Sequence, residues 1–110
     1  MANTYPDPFR LALGPVLGER IRQARRGRGL RDTARRAGIS AGHLCLLEQG
    51  VRAPSGETVA ALNRVVSFDD DLLGVLMEVA EIVDEGREER RQAREGRAER
   101  LTAITTRSTI

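Results

Sequence analysis

Apolar residues recur along this chain at intervals of three and four, and no stretch alternates apolar with polar as a half-buried strand would. Pro15 opens a first helix, "PVLGERIRQARR". There Val16 or Leu17, then Ile21 and Ala24, make an inner stripe, while Arg20, Arg22, Arg25 and Arg26 face outward. "GRG" at 27–29 breaks it. A second helix, "LRDTARRA", ends at Gly38, a natural left-handed C-cap. Ser40 N-caps a third, which Gly50 terminates in the same way. Ser55 caps a fourth, "GETVAALNRVV", with Val59, Leu62, Val65 and Val66 at helical spacing. "SFDDD" starts a fifth, because carboxylates offset the positive end of a helix dipole, and Leu72, Val75, Leu76, Val79, Ile82 and Val83 give it a long apolar stripe. The pattern predicts an all-α domain of five helices over residues 15–83.

An arm and an extension flank it. Residues 1–14 carry Pro6 and Pro8 and read as an N-terminal arm with at most one turn, capped by Asp7 and pinned to the body by Phe9, Leu11 and Leu13. Residues 84–110 begin with an almost unbroken run of charge to Arg100. Gly86 and Gly96 each cost a helix about 1 kcal/mol against Ala, and like charges meet at i,i+4 in Glu85/Glu89 and Arg87/Arg91. A frayed helix followed by a disordered "TAITTRSTI" is expected there.

Composition narrows the picture. Tyr5, Phe9 and Phe68 are the only aromatic residues, so the core must be built from Leu, Val, Ile and Ala. All 18 basic residues are arginine. A GC-rich genome would produce that bias by itself, although arginine also suits phosphate better than lysine. The net charge of +2 hides a segregation. Arg10 to Arg52 holds ten arginines against Glu19, Asp32 and Glu48, a balance of +7, whereas Glu57 to Glu85 sets Arg64 against eight acids, a balance of −7. The first stretch suits a polyanion. With Cys45 alone there is no internal disulfide, and with no apolar run near the roughly 20 residues of a membrane span and no signal-like N-terminus, a cytoplasmic location is expected.

No catalytic, metal or cofactor site is expected. His43 is the only histidine, and Cys45 two residues on does not share its helix face; zinc would need three or four ligands. Asp69, Asp70 and Asp71 look like a metal cluster, but a helix N-terminus accounts for them. Cys45 is read as a small filler rather than a redox switch.

Two short helices crossing at a tight turn need a small residue at the crossing, a turn residue that tolerates positive φ, and apolar residues facing back. Ala34, Gly38 and the set Ile39, Leu44 and Leu47 supply these. Here the chain resembles the Cro and lambda-repressor-like helix-turn-helix regulators, the XRE family. "LGERIRQAR", "ARRAGIS", "HLCLLEQG" and "RAPSGETVAAL" follow in that family's order, and the resemblance covers roughly residues 16–76. It implies a lambda-repressor-like domain whose second helix crosses the phosphate backbone and whose third, residues 40–49, lies in the major groove. On that basis Arg31, Arg35, Ser40 and Arg52 are candidate phosphate contacts, joined by amides near Ser55 to Thr58. A merely solvated arginine face is the alternative for Arg31 and Arg35, and Arg36 points elsewhere. Two departures stand out. The interval between "QAR" and "ARRAGIS" is about two residues shorter than usual, and Leu30 stands where the family often carries a phosphate-gripping Gln.

With Leu44 and Leu47 inward, the third helix turns Gly42, Cys45, Leu46 and Gln49 outward, with Ala41 and His43 on the flanks. Of these only Gln49 clearly suits base discrimination by hydrogen bonds. The favoured reading is a small helix seated deep in the groove, touching thymine methyls through Ala41, Cys45 and Leu46, with polar contacts from Gln49, Arg52 or His43 and DNA shape supplying the rest. The alternative is an antitoxin-like or adaptor module that offers Cys45 and Leu46 to a protein partner. The family commonly binds as a dimer, and the surplus stripe at Val79, Ile82 and Val83 is a candidate homodimer contact. Taken together, the chain reads as a DNA-binding transcriptional regulator, a repressor in preference to an activator because nothing beyond the DNA module is large enough to sense a ligand.

Overall fold

The computed structural model describes residues 13–108 and folds as five α-helices. The arm from residue 1 to 12, with Asp7, Phe9 and Leu11, lies outside the described residues. Helix α1 runs Gly14–Ala24 with Pro15 in its first turn. It ends two residues before the predicted point, since the amides of Arg25, Arg26 and Arg28 each bond the carbonyl three residues back and Gly27 takes φ 77°. That tight turn is how the shortened interval is absorbed. Helix α2 spans Leu30–Ala37; the amides of Gly38 and Ile39 close its end on Arg35 and Ala34, with Gly38 at φ 74°. Leu30 packs half-buried against the core.

Helix α3 spans Ala41–Glu48, and Ser40 Oγ accepts from the His43 amide at 3.0 Å. Gly50, at φ 75°, turns the chain away. Helix α4 spans Gly56–Val66, capped by Ser55 Oγ on the Thr58 amide. It stops at Ser67, whose φ of 52° is the left-handed value a non-glycine rarely takes, held as Asn63 Oδ1 accepts from the Phe68 amide. Helix α5 spans Asp70–Ser108, with Asp69 Oδ1 accepting from the Leu72 amide at 2.8 Å.

Leu17, Ile21, Leu44, Leu47, Val59, Leu62, Leu72 and Leu76 form the core with Ala34 and Ala80. The ambiguity in α1 resolves to Leu17, since Val16 is 56% exposed. Helix α1 packs on α3, α2 on α3 and α4, and α5 on α4 and α1. At the α1/α3 crossing Gly18 lies against backbone: a Cβ there would sit 2.7 Å from the Glu48 carbonyl carbon and 2.8 Å from the Leu47 oxygen.

Two expectations are corrected. The stretch from 84 on is helix through Ser108, with no break into disorder after Arg100. The like-charge pairs that argued against it are outweighed by unlike ones: Arg91 bridges Glu88 and Glu95, and Gln92 donates to Glu88. Val79 is not surplus either, being buried in the domain's own core with Val83 half-buried against it, so of the three proposed dimer residues only Ile82, 53% exposed, remains available.

Candidate nucleic-acid interface

Helix α3 is held by more than its apolar face. Glu48, at its last turn, forks onto Arg25: Oε2 accepts from Nε at 2.6 Å and Oε1 from Nη2 at 3.0 Å, while Arg25 Nη1 donates to the Arg28 carbonyl. The hydrogen bond to Glu48 holds the Arg25 pKa above its ordinary value. Arg25 was expected to face outward with its neighbours. Instead it clamps the turn after α1 to α3, with side-chain exposures of 21% and 7% for the pair. Nothing in the linear pattern signals this, because the partners lie 23 residues apart. The clamp also takes the one carboxylate of α3 out of the exposed face.

That face is small and weakly polar, as expected. Gly42 is exposed, and a Cβ there would meet nothing within 4 Å. Cys45 and Leu46 are half-buried, and Gln49 is exposed with its Nε2 donating to Cys45 Sγ at 3.4 Å. Gln49 therefore turns its amide nitrogen back onto its own helix, leaving Oε1 as an acceptor. Ala41 packs against the edge of the core.

His43 departs from its expected flanking role. Its Nε2 is buried without a hydrogen-bond partner among the described residues. Burial first, then the Arg52 and Arg87 guanidiniums, holds its pKa below the usual imidazole range. The unfolded chain, with an imidazole near about 6.5, takes up a proton where the fold does not, so stability is full above that pH and declines below it. Melting temperature should fall by a few degrees between pH 7.5 and 5, and His43→Gln should flatten the decline; parallel curves would remove His43 as the cause. The lowered carboxylates of Asp32 and Asp69 act in a more acidic window.

The cationic rim is uneven. Asp32 draws in both Arg35 and Arg36, at 2.6 and 3.0 Å, and Arg22 pairs with Glu19. Arg31 and Arg52 are exposed and form no ion pair among the described residues. Ser40 is exposed, but its oxygen already caps α3. Ser55 and Thr58 are buried, their hydroxyls 3.0 Å apart and bonded to each other, so neither offers a side chain to a phosphate. The Gly56 amide is taken as well: Asp84 Oδ2 of α5 accepts from it at 3.1 Å. Of the α4 amides expected to face a phosphate, that of Gly56 is thus engaged by a carboxylate of the chain itself. No local pattern signals that contact, which spans 28 residues.

Two comparisons with known proteins found nothing: no curated protein and no solved structure matches the chain. A family model described as a helix-turn-helix domain matches residues 16–76, more than half of the chain.

Proposed function

The chain belongs to the helix-turn-helix domain family, and from that premise we propose that it is a sequence-specific double-stranded DNA-binding transcriptional regulator that represses by occluding its site. The observation that carries this is the outward face of α3, where Gly42 is open and exposed and Cys45 is small and half-buried, while Glu48, the acid that would repel DNA, is folded away onto Arg25. A helix so stripped fits close to base edges and reads methyls and groove shape more than hydrogen-bond patterns. Arg31, Arg35 and Arg52 border it as phosphate contacts. Two copies related by a two-fold axis would read paired half-sites, and Ile82 is one of several exposed apolar residues on α5 that could join them.

The test is selection of the full chain against random duplex DNA at two salt concentrations, with sequencing of the retained fraction. An enriched palindrome, lost on Leu46→Glu, is the expected result. Retention without enrichment would leave a nonspecific binder. No retention at low salt would sink the proposal and make Cys45 and Leu46 the surface for a protein partner.

A further inference from the structure

The charges of the projecting part of α5 are interleaved in sequence but sorted in space. At 100° per residue, the face that packs on the domain runs through Leu72, Leu76, Ala80 and Val83. Continued in steps of three and four, the same face carries Arg87, Arg90, Arg94 and Arg97, and then Leu101. The acids Glu81, Glu85, Glu88, Glu95 and Glu99 fall on the opposite side. Arg91 lies between the two faces and ties itself to Glu88 and Glu95. Among the described residues Arg94 and Arg97 form no ion pair.

The position of this stripe is fixed by the contacts already described. Asp84 meets the first amide of α4, and Arg87 is close enough to His43, in the first turn of α3, to act on it. The arginine face therefore leaves the domain on the side that carries Arg52 and the start of the recognition helix, extending that cationic rim by about 15 Å from Arg87 to Arg97 at 1.5 Å per residue.

We propose that Arg87, Arg90, Arg94 and Arg97 form a second DNA contact, a phosphate-binding stripe that lies along the duplex backbone beyond the bases read by α3. This rests on the DNA-binding reading above. Guanidiniums on one face meet phosphate oxygens as paired donors, and Glu81, Glu85, Glu88, Glu95 and Glu99 lie on the far face. The contact carries no base information and shows itself as affinity and salt dependence.

The experiment measures affinity for one duplex with long flanks at a series of salt concentrations, using the full chain and its Arg87→Gln/Arg90→Gln/Arg94→Gln/Arg97→Gln form. Loss of four phosphate contacts makes the slope of log K against log salt shallower by about 3 to 4. The hydroxyl-radical footprint shortens at its outer edge, and the preferred sequence does not change. The four Arg→Lys replacements restore the slope, which a defect in helix formation alone would not predict, and Glu95→Gln/Glu99→Gln leaves it undiminished. If the wild-type chain binds DNA and the glutamine form shows the same slope and footprint, the stripe is wrong while the DNA-binding reading stands. If the wild type retains no DNA at low salt, both fall.

Discussion

Gly18→Ala is expected to destabilise the fold by about 3 kcal/mol, at the upper end of what overpacking usually does. That is a drop in melting temperature of more than about 12 °C for a domain of this size. Helix propensity alone predicts the reverse, since alanine is favoured over glycine by about 1 kcal/mol inside a helix. The sign is decided by what the new methyl would meet: the Glu48 carbonyl and the Leu47 oxygen, backbone atoms of α3 that cannot rotate aside. Either α1 and α3 move apart, opening the core around Leu17 and Leu44, or the α1 helix deforms. Gly74→Ala is the matching control. It lies in an exposed part of α5 with nothing within 4 Å of the added carbon, and should raise stability by about 1 kcal/mol. Thermal melts of the two variants against wild type make the comparison, and a Gly18→Ala protein that melts within a few degrees of wild type would contradict the close α1/α3 crossing.

Gly42→Glu should do the opposite, leaving the fold alone and removing function. A side chain at that position meets no protein atom within 4 Å, so the melting temperature should shift little. It would, however, place a carboxylate at the start of the proposed recognition helix, facing the groove. Like charges brought together at an interface cost several kcal/mol, so affinity for the selected duplex should fall at least about 100-fold, roughly 3 kcal/mol. Gly42→Ala should bind within a few fold of wild type. Equal affinity of the glutamate variant and wild type would move the DNA, or the partner, to another face of the domain.

Local signals carried most of the fold. Ser40 and Ser55 cap the helices they were expected to cap, and Gly38 and Gly50 sit at positive φ as the C-cap pattern requires. Such features depend on neighbours within four residues, which a sequence displays directly. What escaped depends on distant pairs. The Arg25/Glu48 fork, the Asp84 contact with α4 and the burial of Val79 follow only from how helices cross. The extension was misread for a related reason, because like-charge neighbours were weighed and unlike pairs such as Arg91 with Glu88 and Glu95 were not. The outward face of α3 needed only its helical period, but the inward turn of His43 Nε2 and the donation from Gln49 to Cys45 required the surrounding elements.

The continuity of α5 makes it a lever. From Leu72 to Val83 it is embedded in the domain, and from Asp84 to Ser108 it projects about 36 Å at 1.5 Å per residue. The embedded part is pinned near its two ends, by Arg20 on Asp69 and by the Gly56 amide on Asp84. Over that length a 10° tilt at the domain displaces the tip by about 6 Å. Small changes in how the embedded segment packs, or in those two surface contacts, are thereby magnified at the end of the arm.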